Sequence, residues 1–278
     1  MAKINVTKLN SVAETLLLPL YSRARESGLK NGIMHDKKAQ LMVGQIDWNF
    51  SPLEDVKDYV HVCVILRAKE IDRQVKAFLA SNPEGTVVEL GCGLDTRFER
   101  LDNGQARFVL MDFPETFEIY KQFFEPHPRK LILEGSFLNF NWVQKVKAFS
   151  KGPILFVSEG VLMYLQEEQV KNLFGCLNDN FAPTQIIFDS CTPMVQKNST
   201  KHVMVKLTNA QFNWGIKDPK TIESWYPGLV QLNKWYYFDQ PEPRLGWTKL
   251  LRFIPPIAKS NQISRFAFQG DRAEAKAA

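Results

Sequence analysis

Beyond Pro83 the chain alternates short, continuously apolar runs with segments of helical periodicity, and this rhythm limits the fold more than any other feature. The runs lie at 86–90, 107–111, 130–133, 153–157 and 185–188. A strand that is apolar on both sides must be covered on both faces, and helices between strands supply the crossovers that parallel neighbours need. An α/β fold follows, with a parallel sheet and helices on both faces. Two further strand candidates, 230–238 and 263–268, come after an excursion over 191–227 that lacks strand character. A long excursion inside a compact fold is usually functional.

Before Pro83 the sequence reads as helices over 16–27 and 37–46, then a long one announced by Ser51-Pro52-Leu53-Glu54. That tetrapeptide has the form of a capping box with proline at the first helical position, where a missing N–H is harmless. The expected organisation is a helical lid over 1–82, a core over 83–270 carrying the 191–227 insertion on its acceptor side, and a disordered tail over 271–278.

Of the 278 residues, 45% are hydrophobic and 23% charged, enough for a substantial core. The net charge of +5 is spread without long runs, so nucleic acid is not an expected partner. Cys63, Cys92, Cys176 and Cys191 form no C-x-x-C pair and have no metal-ligand spacing with the four histidines. A reduced, cytoplasmic protein without a metal is expected. No secretory pattern opens the chain and no apolar stretch approaches a membrane span, so no membrane partner is expected either.

The chemistry concentrates where the first strand runs into a glycine turn, Glu89-Leu90-Gly91-Cys92-Gly93-Leu94-Asp95-Thr96-Arg97. Glycines there let a ligand approach the backbone. Nineteen residues beyond Gly93, at the end of the second strand, stands Asp112, placed to accept hydrogen bonds from ribose hydroxyls. A dinucleotide would want a third glycine at Thr96, and Asp95 would repel a pyrophosphate. S-adenosylmethionine suits the turn better, because it carries adenosine, no phosphate, an ammonium and a cationic sulfonium.

Three linked segments, Gly91 to Arg97, Asp112-Phe113-Pro114-Glu115 and Ser158-Glu159-Gly160-Val161-Leu162-Met163-Tyr164-Leu165, resemble in order and spacing the leucine carboxyl methyltransferase family. The likeness is greatest to its bacterial branch acting on polyketides and related metabolites. The opening Glu14 to Ala24 and the helix bearing Arg67 are also similar. The resemblance implies a Rossmann-like class I methyltransferase sheet with an N-terminal helical lid and an insertion after the fifth strand. It implies S-adenosylmethionine as cofactor, S-adenosylhomocysteine as product, and transfer to an oxygen of a small-molecule acceptor.

Residue by residue, the resemblance implies that Arg67 pairs with the methionine carboxylate and that Gly91, Gly93 and Glu159 line the amino acid end, with Glu89 and Asp95 close by. Asp112 would hold the ribose, with Phe113 beside it. The family's acidic residue after the third strand is missing here, and Ser136 and Phe137 stand in as adenine contacts. Tyr21 and Arg23 from the N-terminal helices, with Phe212, Trp214 and Tyr226 from the insertion, are the expected acceptor walls. Tyr164 and His202 are the candidate catalytic groups, with Asp189 as a further candidate base. A carboxylate acceptor would need no base, whereas a phenol would benefit from one.

Overall fold

The structure, a computed structural model, describes residues 3–201, 203–239 and 242–269. His202 and the tail over 271–278 lie outside the described residues. The expected strands all form: β1 (Thr86–Leu90), β2 (Arg107–Asp112), β3 (Lys130–Glu134), β4 (Ile154–Ser158), β5 (Thr184–Cys191), β6 (Leu229–Tyr236) and β7 (Asn261–Phe268). They make one seven-stranded sheet in the order β3-β2-β1-β4-β5-β7-β6. The first five are parallel; β7 runs antiparallel to β5, Thr184 facing Phe268, and β6 runs antiparallel to β7 with an irregularity between Gln231 and Asn233.

Alternation along each strand sends neighbouring side chains to opposite faces. Val88, Val109, Phe156 and Ile186 join one buried cluster, while Val87, Phe108, Leu155 and Ile187 join another. This is why the strands read as continuous apolar runs. Helices α1 (Leu17–Ser27), α2 (Lys37–Gln45), α3 (Asp58–Ser81), α4 (Arg97–Leu101), α5 (Pro114–Tyr120), α6 (Val143–Phe149) and α7 (Glu167–Phe181) supply the covering layers. The last turns of α3 belong to the sheet's own packing, since Ile71, Val75, Phe78 and Leu79 cluster with Val87, Phe108 and Leu155. Each such fully buried side chain contributes about 1.5–3 kcal/mol.

One local expectation fails. Ser51–Glu54 is a separate single turn with Phe50, not Ser51, at its N-cap and no capping hydrogen bond from a side chain; Lys57 is extended and the long helix begins at Asp58. The break lets Leu53 bury against Leu18, and it places the Leu53 carbonyl 3.0 Å from Nε2 of His61. Nε2–H therefore donates to that carbonyl and Nδ1 accepts from the Ser22 hydroxyl at 2.8 Å. Burial lowers the His61 pKa, which fits this neutral, structural role.

Candidate active site

A cavity of about 590 Å³ opens at the carboxyl ends of β1 to β5, where the chain leaves β1 for one side of the sheet and returns to β4 on the other. Open α/β sheets bind ligands at such a switch point, and the volume is ordinary for a small-molecule site. The floor is the turn after β1. Gly91 N and Cys92 N both donate to Met111 O, at 2.9 and 3.0 Å, folding the turn back over β2. Gly91 has φ +74°, and a Cβ there would lie 2.6 Å from a Val161 methyl. Close packing of the β4 loop thus requires this glycine.

Asp112, at the tip of β2, is held by two backbone donors, Gly93 N on one carboxylate oxygen and Phe113 N on the other, each at 2.7 Å. Burial nonetheless pushes its pKa up from the ordinary value, against those two bonds. Each oxygen keeps a lone pair, so a fixed double acceptor faces the cavity. Phe113, Gly135, Ser136 and Phe137 continue the wall from β2 to β3. The Ser136 hydroxyl accepts from Leu138 N at 3.2 Å, which leaves its own proton for another acceptor.

On the other side of the turn runs a buried ion network. Arg97, 2% exposed, reaches Glu159 at 2.6 Å, Asp95 at 2.7 Å, Asp72 at 2.9 Å and Glu89 at 3.2 Å. Arg100 bridges Asp95 and Asp72, and Arg23 pairs with Asp36 at 2.9 Å and donates to Leu94 O at 2.8 Å. Burial pushes Glu89 up to about 8, against the pull of Arg97, while Asp95, equally buried, is held well below its ordinary value by Arg97 and Arg100. Of the five acids on the cavity wall, Glu89 holds a proton near neutral pH, so Asp95, Asp112, Glu159 and Asp189 face the cations of Arg23, Arg67, Arg97 and Lys201.

Arg67 stands on the wall as expected, but its charge is already engaged: Nε donates to Glu159 at 3.0 Å and Nη1 to Asp189 at 3.2 Å. Asp189 is equally committed, accepting from Gly160 N at 2.6 Å and from the Tyr237 hydroxyl at 3.1 Å. It positions Arg67 and the β4 loop. The ring of Tyr164 meets that of Phe212 edge-on at 5.2 Å, and both line the cavity, as do Thr15, Leu16, Met163 and Val195. Burial raises the Tyr164 pKa, which opposes a role as base.

Three expected acceptor residues lie elsewhere. Tyr21 stacks on Phe50 at 5.6 Å and packs beside His61, because α1 turns it toward the Ser51–Glu54 turn. Trp214 is buried against Phe188 and Trp225, and the Tyr226 hydroxyl donates to Lys171 O on α7, so the insertion uses these aromatics to seat itself on the sheet. Arg23 does border the cavity, but its polar contacts serve the glycine turn. Arg97, Tyr237 and Lys201, also on the wall, had no role assigned from the sequence. Arg97 stood inside a motif already read, and its company of four carboxylates was the missing signal. Among the described residues no group of His, Cys, Asp and Glu is arranged to hold a metal.

Comparison with known proteins gives a consistent setting. A family model described as leucine carboxyl methyltransferase matches residues 17–178. The tetracenomycin polyketide synthesis O-methyltransferase TcmP of Streptomyces glaucescens is 26% identical over 94% of this chain and 98% of its own. The S-adenosyl-L-methionine-dependent methyltransferase dpfgK of Gibberella zeae is 26% identical over 80% of each chain. Among solved structures, a DUF574-family protein from Streptomyces avermitilis superposes with a TM-score of 0.58 at 10% identity, over 89% of this chain and 96% of its own. The methyltransferase domain of bacterial CtHen1-C gives 0.50 at 16% identity, over 72% and 98%. These two show likeness of fold, and the seven-stranded mixed sheet is the one typical of class I S-adenosylmethionine-dependent methyltransferases.

Proposed function

Because the chain belongs to the leucine carboxyl methyltransferase family and is an S-adenosylmethionine-dependent methyltransferase, we propose that it methylates an oxygen, a carboxylate, of a small and largely apolar acceptor. The observation that carries this reading is one cavity whose wall combines the acidic Asp112, Glu89 and Glu159 with the apolar Leu16, Met163 and Phe212. The acids fit a ligand bearing a sulfonium and an ammonium, and the apolar side chains fit an acceptor of low polarity. Oxygen as the acceptor atom rests on the likeness to TcmP, whose name makes it a polyketide O-methyltransferase.

The bound cofactor supplies an electrophilic methyl group with a neutral thioether as leaving group. In this reading Asp112 accepts from the ribose hydroxyls, Phe113 and Phe137 flank the adenine, and Ser136 donates to it. Gly91, Gly93, Glu89, Asp95 and Glu159 surround the amino acid end. Arg67 spends Nε on Glu159 and Nη1 on Asp189, so the methionine carboxylate would share this guanidinium with two acids already in place. Methyl transfer then requires alignment and exclusion of water more than proton transfer. An anionic carboxylate needs no base, in keeping with a Tyr164 phenol that burial makes harder to ionise.

The reading is tested by incubating the full chain with methyl-labelled cofactor and a metabolite extract, then identifying labelled products by mass spectrometry. A labelled methyl ester, lost on mild alkaline treatment, is the expected product. An alkali-stable ether would move the acceptor to a phenol, and label on nitrogen or carbon would overturn the oxygen assignment.

A further inference from the structure

The most exposed large apolar side chains among the described residues all fall in one eight-residue stretch: Trp247 at 71%, Phe253 at 68%, Leu250 at 57% and Ile254 at 48%. Monomeric proteins seldom leave such residues together in water, and a contiguous cluster marks a docking surface. The stretch is fixed from behind. Arg244 binds the buried Glu26 of α1 through two nitrogens, at 2.8 and 2.9 Å, and Leu245 and Thr248 are buried. Gly246, at φ +59°, kinks the helical segment Pro243–Phe253.

Charge narrows the choice of partner. Between Pro243 and Lys259 there is no acidic residue, and Lys249, Arg252 and Lys259 make no ion pair among the described residues. The Arg252 guanidinium lies over the Phe253 ring, 4.8 Å from its centre. A second copy docking through a two-fold axis would press this face onto itself, cations against cations. Aromatic and aliphatic tips interleaved with long basic side chains are instead suited to the boundary between anionic headgroups and acyl chains. We propose that the 247–259 face docks reversibly on an anionic lipid surface. The same segment contributes Leu251 and Ile257 to the cavity wall, so docking would set that part of the wall beside the lipid. No described helix is long and apolar enough to cross a membrane, and a segment that lies on one need not be.

The docking claim does not depend on the methyl acceptor and is tested without it. The full chain is sedimented with phosphatidylcholine vesicles with and without phosphatidylglycerol, beside the W247S/F253S and K249E/R252E double variants. The chain is expected to sediment with the anionic vesicles only. Removing the two aromatics should weaken binding about a hundredfold or more, since each buried ring is worth at least about one decade. Charge reversal should abolish it. So should raising salt from about 0.1 to about 1 M, over which the screening length falls from about 10 to about 3 Å. Unchanged calorimetric affinity for S-adenosylhomocysteine in both variants shows that the folded site is intact. Absence of binding to anionic vesicles, or binding that neither variant alters, overturns the proposal. So does a concentration-dependent dimer that W247S/F253S dissociates, which would make the partner a second copy.

Discussion

Replacing Arg97 with methionine keeps the bulk and removes the charge at the centre of the buried network. Arg100 still serves Asp72 and Asp95, and Arg67 still serves Glu159, but Glu89 loses its one guanidinium partner. Breaking into a buried ion network typically costs about 3–5 kcal/mol; here Asp95 and Glu159 would each fall from two guanidinium partners to one, and Glu89, raised to about 8 even with Arg97 present, would be pushed still further from ionising. At about 2–4 °C per kcal/mol for a chain approaching this size, the melting temperature should drop by roughly 6–20 °C. The loss must depend on pH. Carboxylates left without Arg97 have folded pKa values raised above their unfolded ones, so the native state holds protons that the unfolded state has released, and stability falls as pH rises. Urea unfolding at pH 5.5 and 8.5 separates the cases. The variant should lie much closer to the parent at the lower pH. A destabilisation below about 1 kcal/mol, or one that is equal at both pH values, would refute the view that Arg97 neutralises this site.

Three further outcomes follow from the site. Asp112→Ala should weaken S-adenosylhomocysteine binding by about 1.5–3 kcal/mol, roughly 10- to 150-fold, and also lower stability, because Gly93 N and Phe113 N lose their acceptor; unchanged affinity by calorimetry would remove Asp112 from the ribose. Glu89, raised to about 8, holds a proton in the native state that the unfolded state releases, so stability should decline as pH rises from its ordinary value near 4.5 to about 8. Glu89→Gln should flatten that decline in chemical unfolding, and an unaltered slope would assign it to other groups. Gly91→Ala puts a Cβ 2.6 Å from Val161 at positive φ and should destabilise by about 1–3 kcal/mol, readable as a lower urea midpoint.

The sheet was legible because strands buried on both faces cannot disguise their composition: Val87 and Val88 go to different clusters and both must be apolar. The turn after β1 and Asp112 were legible because a short motif fixes a backbone path and a carboxylate within it. The acceptor walls were not. Trp214, Tyr226 and Tyr21 are aromatic for the sake of packing, and nothing in an aromatic residue's identity tells a wall from a core. Arg67 lines the cavity, but its engagement by Glu159 and Asp189 arises from residues 92 and 122 positions away. Only the fold brings those charges together. The false start at Ser51 has the same origin, since burial of Leu53 against Leu18 outweighs a favourable local cap.

The most direct test of the account is an isothermal titration of the intact chain with S-adenosylhomocysteine, S-adenosylmethionine and NAD, repeated with Asp112→Ala. The expected result is one site per chain for both adenosyl ligands, affinity lost in the variant by the margin given above, and no heat with NAD. No binding of either adenosyl ligand, tighter binding of NAD, or full affinity without the Asp112 carboxylate would contradict the assignment of this cavity.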